Sequence, residues 1–186
     1  MVKAKRIICF WGGPGTGKST TNAGVFFKLK KIGFDCEMNR EYVKDWVWEK
    51  RAIKPGDQTY IFAKQSRKER QYMENKLDYI LSDSPMALSI LYGRLYDKYE
   101  SEHNACLAML AQHHSFCKDH GYKTEHIFLR RKKKYNPNGR HQTEEEARDI
   151  DNQCLALLKE LNINYREFDC DDGIEDTIVN YLMELE

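Results

Sequence analysis

The run from Arg6 to Thr20 leaves little freedom in how this chain folds. Ile7-Ile8-Cys9-Phe10-Trp11 is a continuous apolar stretch, the pattern of a short strand buried on both faces. It passes directly into Gly12-Gly13-Pro14-Gly15-Thr16-Gly17-Lys18-Ser19, which matches the phosphate-binding pattern G-x-x-x-x-G-K-[ST] without departure. Thr20 to about Lys31 then reads as a helix carrying apolar Val25, Phe26 and Leu29. Each part of the pattern has a physical task. The glycines let the backbone wrap so that successive N–H groups point at phosphate oxygens. The helix adds its unpaired N-terminal amides and the positive end of its dipole. Lys18 can reach the β- and γ-phosphates, and the Ser19 hydroxyl can ligate Mg2+. A strand before the loop and a helix after it argue against a glycine-rich turn that binds nothing. Gly13, Pro14, Gly15, Thr16, Gly17, Lys18, Ser19 and Thr20 are therefore the expected nucleotide-binding residues.

A chain of 186 residues fits one domain spanning 1–186 and can bury a sizeable core. The net charge of +1 gives no global argument for a nucleic acid or a membrane, so either case must rest on a local patch. No apolar run approaches the roughly 18–20 residues needed to cross a bilayer, and the short basic tip ahead of the first strand is not a signal peptide. The six cysteines are scattered with no C-x-x-C spacing, several within apolar stretches. Reduced, packed thiols in a cytoplasmic protein are the expectation. The histidines lack ligand spacing on a helix, so Mg2+ delivered with a nucleotide is the metal expected.

Along the chain, strands and helices alternate. Phe34 to about Met38 reads as the second strand, and Glu41 falls where it gives way to a helix bearing Val43, Trp46 and Val47. A long helix from about Gln58 to Asn75 has a mixed apolar face and a basic one. Leu77 to Ser82 reads as the third strand, ending at Asp83; Ser84-Pro85 is an N-cap and first-turn proline, with helix continuing from Ala87 to about Leu95. Asn104 to about Lys118 is helical, and Thr124 to Leu129 is the fourth strand. Thr143-x-x-Glu146 is a capping box opening a helix with Ala147, Ile150, Cys154, Leu157 and Leu161 on one face. Ile163 to Phe168 is the fifth strand and Ile174 to Leu185 a closing helix. This alternation predicts a parallel three-layer α/β fold.

In such a fold ligands bind at the carboxyl ends of the strands, where Glu41 and Asp83 both fall. Phosphoryl transfer needs an acceptor-orienting base, metal support and positive charge on the migrating group. Glu41 or Asp83 can take the proton of an acceptor hydroxyl, and Asp83 can also hold Mg2+ beside Ser19. The basic loop over residues 130–142 supplies Arg130, Arg131 and Arg140, able to close over the phosphates as a lid.

The segments Gly12 to Thr20, Arg40-Glu41-Tyr42, Ser82-Asp83-Ser84-Pro85 and Leu129-Arg130-Arg131 through Gly139-Arg140 to Glu144-Glu145-Glu146-Ala147 together resemble the small AAA-type ATPase/kinase proteins encoded by many bacteriophages. That group is similar to the ribosylnicotinamide kinase domain of the bifunctional NAD-pathway regulator and, more distantly, to deoxynucleoside and nucleoside monophosphate kinases. The resemblance implies a P-loop kinase-like fold with a five-stranded parallel sheet in the order 2-3-1-4-5, Mg-ATP as phosphate donor, and a host-cytoplasm setting. By position, Glu41 matches the carboxylate that deoxynucleoside kinases use as base, and Arg130 and Arg140 match lid arginines. Where deoxynucleoside kinases carry an acidic-Arg pair after strand three, this chain has Asp83-Ser84, which leaves the acceptor open.

Three functions follow. The first is an ATP-dependent phosphotransferase acting on a nucleoside- or nucleotide-like small molecule. The second keeps the chemistry but takes a nucleic-acid acceptor, with Arg130 to Lys134 tracking a backbone and Tyr42, Trp46 and Trp48 stacking a base. The third is a nucleotide-driven switch with a protein partner docking on residues 58–75.

Overall fold

The computed structural model describes residues 5–96, 99–138 and 142–185. Five strands, β1 (Lys5–Trp11), β2 (Cys36–Asn39), β3 (Tyr79–Ser82), β4 (Tyr122–Arg130) and β5 (Arg166–Asp169), form one sheet in the order β2-β3-β1-β4-β5. Every pairing is parallel, with Ile8 opposite Leu81 on one side and Glu125 on the other. This is the order the resemblance implied. The helices are α1 (Lys18–Lys31), α2 (Lys44–Trp48), α3 (Asp57–Glu74), α4 (Leu88–Tyr96), α5 (Glu100–Asp119), α6 (Glu144–Glu160) and α7 (Ile174–Glu184). None among the described residues is long and apolar enough to cross a membrane.

The apolar run of β1 is explained by its place at the centre of the sheet, where successive side chains alternate between two covered faces. Ile8 and Phe10 pack with Val25 and Leu29 of α1 and with Ile178 and Leu182 of α7. Ile7, Cys9 and Trp11 face the other way, into the layer of α3, α4, α5 and α6. All six cysteines are buried and free of disulfides.

Three boundaries differ from the sequence expectation by three residues or more. The strand expected from Ile163 begins only at Arg166, because the Ile163 amide donates to Leu158 O and its side chain joins the core of the α3–α6 layer. The helix expected from Ser84-Pro85 starts at Leu88. The Ser84 carbonyl accepts from Gln65 Nε2 (3.0 Å) and Ser82 Oγ (3.2 Å), and residues 88–90 first form i→i+3 bonds. α5 begins at Glu100, a turn earlier than its apolar residues suggested, after Tyr99 in extended backbone.

A polar network crosses the core beneath the strand ends. Asn39, the last residue of β2, donates to Gln65 O (3.1 Å) and to Glu69 Oε1 (3.0 Å) on α3. Glu69 Oε2 lies 3.0 Å from His113 Nε2 on α5, and both side chains are at most 5% exposed. His113 Nδ1 meets Ser66 Oγ at 3.2 Å, and Nε2 also meets Cys117 Sγ at 3.5 Å. Burial alone would push the His113 pKa down, but the bonds to Cys117 and Glu69 outweigh it and raise it to about 10. With the Gln65 bond to Ser84, α3 thus ties together the ends of β2 and β3 and α5 behind them.

Candidate functional site

The loop between β1 and α1 is built by close contact. Gly12, Gly15 and Gly17 all take positive φ, a backbone conformation that glycine adopts without penalty. Gly13 is glycine for a different reason. A Cβ there would sit 2.4 Å from Ala147 O and 2.9 Å from Asp151 Oδ1 of α6. The Gly13 amide donates to Asp151 Oδ1 (2.5 Å), and Thr16 Oγ1 donates to the Gly13 carbonyl (3.0 Å). Gly13 and Thr16 therefore brace the loop, while Pro14, Gly15, Gly17, Lys18, Ser19 and Thr20 line a cleft. α1 opens on Gly17 with no side-chain cap and no acidic residue in its first turn. Its first amides and its positive dipole end consequently face the cleft uncompensated. The Lys18 ammonium donates to the carbonyls of Gly12 (2.6 Å) and Gly13 (2.9 Å).

The cleft encloses about 1,020 Å³, its open mouth included, and runs from this loop to the ends of β2 and β3. Among the described residues, Glu41 is the only carboxylate that lines it. Burial pushes the Glu41 pKa up and the neighbouring Asp83 adds to that, while Lys18 and Lys44 act against it. Asp83, 5% exposed, accepts the Glu41 backbone amide on Oδ1 at 2.7 Å, which ties the chain after β2 to the end of β3. Its second oxygen has no protein partner among the described residues. Beyond Glu41 the walls are Val43, Val47, Ile53, Ile61 and Leu88, with Gln58, Ser89 and Tyr92 interspersed. Tyr92 and Tyr96 lie nearly parallel, centroids 6.0 Å apart, and Gln142 Nε2 donates to the Tyr96 hydroxyl (2.8 Å). Burial, and next the Glu41 charge, hold the Tyr92 phenol well above its usual range.

The basic loop is balanced by acids. Arg130 Nε lies 2.8 Å from Asp169 Oδ1, Lys132 3.5 Å from the same oxygen, and Lys133 3.4 Å from Asp172. Arg131, 4% exposed, donates to Asp151 Oδ2 (3.0 Å) and Pro14 O (2.9 Å), so it clamps the phosphate loop from behind. Arg140 lies outside the described residues. Of the aromatic residues considered for base stacking, Trp46 packs against Arg51 (3.6 Å to the ring centroid) and Tyr60, while Tyr42 bonds Tyr60 through their hydroxyls (3.1 Å). None of them lines the cleft; Trp48 is exposed elsewhere on the surface.

Asp151, Gln58, Tyr92 and Gln142 were not singled out by sequence. Asp151 had a readable signal, a carboxylate at i+4 from Ala147 inside the apolar stripe of α6. The other three had none, since a lone glutamine or tyrosine, on a helix or in the loop before one, carries no motif. Among the described residues no group of three His, Cys, Asp or Glu side chains is placed to hold a metal. The residues present suit a cation that arrives with phosphates and keeps much of its water, as Mg2+ does. Of the two residues the sequence suggested for it, Ser19 lines the cleft, whereas Asp83 is buried, bonded to the Glu41 amide, and does not line it.

No curated protein sequence matches the chain. Among solved structures, NadR protein in complex with NR is similar over 97% of this chain and 52% of that one, at 14% identity and a TM-score of 0.63. NadR protein in complex with NAD and AMP-PNP is similar over 97% and 49%, at 13% identity and a TM-score of 0.66. The chain thus spans about half the length of these proteins, and at such identity the likeness is one of fold. The family model for the AAA domain matches residues 7–175, from the first buried strand into the last helix, and the chain belongs to that family.

Proposed function

We propose that the protein is a Mg-ATP-dependent phosphotransferase that moves the γ-phosphoryl group of ATP to a hydroxyl of a nucleoside- or nucleotide-like small molecule. The observation that carries this reading is one cleft joining the phosphate loop to Glu41, its only lining carboxylate among the described residues. A switch that only hydrolyses nucleotide has no use for a second, half-apolar compartment beyond the phosphates. The fold likeness to a protein solved with an ATP analogue and with NR is in keeping with it.

In this reading Lys18 leaves the loop carbonyls for the β- and γ-phosphate oxygens, and the amides at the start of α1 bind the same groups. Ser19 and Asp83 would hold Mg2+, which would supply charge neutralisation at the phosphates. Glu41 accepts the proton of the acceptor hydroxyl as its oxygen bonds to the γ-phosphorus; the bond to the β-phosphate oxygen breaks and ADP leaves. The raised Glu41 pKa makes it a better base than an ordinary carboxylate. Arg131 positions the loop through Asp151 and Pro14, and Arg130 and Arg140 belong to the lid over the phosphates. Pairing of the basic loop with Asp169 and Asp172 favours this reading over a nucleic-acid acceptor.

The test is transfer of label from γ-labelled ATP to a panel of nucleosides, nucleotides and short DNA, with wild type, Lys18→Ala and Glu41→Gln. Label on a small acceptor, lost in both variants, is the expected result. Label in free phosphate alone would refute the proposal, and label on DNA would move the acceptor to nucleic acid.

A further inference from the structure

Glu41 belongs to neither β2 nor α2, and its place is set from two sides. On one side its backbone amide donates to Asp83 Oδ1, just past β3 (2.7 Å). On the other stands Asn39, the last residue of β2, 1% exposed and opposite Ser82 in the register with β3. Its Nδ2 directs both protons at α3, donating to Gln65 O (3.1 Å) and Glu69 Oε1 (3.0 Å). Gln65 in turn donates through Nε2 to the carbonyl of Ser84, the residue after Asp83 (3.0 Å). These bonds and the backbone between them close a ring that runs from Asn39 through Gln65, Ser84, Asp83 and Glu41 and back by way of Arg40.

Packing alone does not account for an asparagine at this point. Its Oδ1 is buried without a partner among the described residues, which costs stability. Turning the amide over gives no relief, because the oxygen would then face the Gln65 carbonyl and the Glu69 carboxylate, both acceptors. What the side chain supplies is two donors aimed at fixed acceptors. Glu69 is itself held by His113, 3.0 Å away and likewise buried, so the anchor does not drift towards solvent. One residue, Arg40, separates this anchor from Glu41.

We propose that Asn39 is a positioning residue for the base: anchored on α3, it acts through the backbone that follows it and holds the Glu41 carboxylate at its place in the cleft. Asn39 itself does not line the cleft, so it touches neither nucleotide nor acceptor. The inference rests on the phosphotransferase reading for the role of Glu41, and not for its placement.

The experiment joins a titration to a kinetic cycle. The Glu41 carboxyl carbon is followed by ¹³C NMR of glutamate-labelled protein, its signal assigned by its loss in Glu41→Gln. Burial pushes that carboxyl above its ordinary value in wild type. In Asn39→Ala it should titrate in the ordinary carboxylate range, because the side chain reaches water, while AMP-PNP affinity stays within twofold. In the γ-label assay Asn39→Ala should lower kcat about 10²-fold, the scale of a 1 Å misplacement. It should lower kcat no further in a Glu41→Gln background, whereas a structural defect costs the same factor with or without the base. Asn39→Asp sets a carboxylate against Glu69 and should match Asn39→Ala. Adding Glu69→Gln restores that bond with donor and acceptor exchanged and should return most of the lost kcat; should Asn39→Ala not fold, this pair of variants carries the test. An unchanged Glu41 titration, an unchanged kcat, or an equal loss in both backgrounds would overturn the proposal. If no acceptor is labelled, the phosphotransferase reading falls and the Glu41 titration alone decides for or against Asn39.

Discussion

The Glu69–His113 pair gives a prediction whose size can be worked from the structure. Two ionised groups 3.0 Å apart and at most 5% exposed have lost nearly all their water. Their attraction, with the bonds from Asn39 and Ser66, offsets that loss only while both partners are present. His113→Leu leaves the Glu69 carboxylate buried beside Asn39 without its cation, and should cost about 3–5 kcal/mol. For a chain of this length that corresponds to a fall in Tm of roughly 6–20 °C. Glu69→Gln combined with His113→Leu removes both charges and should recover much of the loss. The dependence on pH has a definite sign. Against burial, the bonds to Cys117 and Glu69 raise His113 to about 10, above its unfolded value of about 6.5. Its stabilisation is therefore complete below about pH 6.5 and fades as pH rises towards 10. Urea unfolding of wild type and His113→Leu at intervals from pH 6 to 10 measures this. A difference under about 1 kcal/mol at pH 7, or one that stays constant across the range, would refute the charged-pair account. His126 is the internal contrast: burial, with His114 nearby, lowers it to about 4, and its Nδ1 accepts from Trp11 Nε1 at 2.9 Å.

Gly13→Ala drives a methyl into the Ala147 carbonyl and Asp151, and should cost about 1–3 kcal/mol of overpacking together with nucleotide affinity; unchanged Tm and binding would show that α6 yields there. Asp151→Ala strands the buried Arg131 and frees the Gly13 amide, so KM for ATP should rise well beyond that of Asp151→Asn, which still offers Gly13 an acceptor oxygen. Equal KM values in the two variants would dismiss the clamp. As the base, Glu41 must be ionised, and its raised pKa means that kcat/KM should fall as pH drops through a value above the ordinary carboxylate range. Glu41→Gln should abolish that acid limb and lower kcat by about 10²–10⁴-fold; a limb that survives the substitution assigns it to another group.

What could be read from the order of residues was the chemistry that neighbours in sequence perform together. The phosphate loop, the Thr143–Glu146 capping box and the alternation of strands and helices are local patterns, and the structure shows both features of the box. Glu41 and Asp83 were legible because in a parallel sheet a strand's carboxyl end is where ligands gather. Tertiary contact decided the rest. Ser84 turned its carbonyl to Gln65 and delayed a helix that its own Pro85 would have opened. Arg131, one residue from Arg130 in the same basic run, turned inward to Asp151 while Arg130 stayed half-exposed beside Asp169. Gln65 became a structural residue through the carbonyl that Ser84, just past β3, presents to its amide. A backbone pattern is set by sterics and solvation within a few residues. The role of a polar side chain depends on which distant atoms arrive within 3 Å of it, and only the folded chain brings those together.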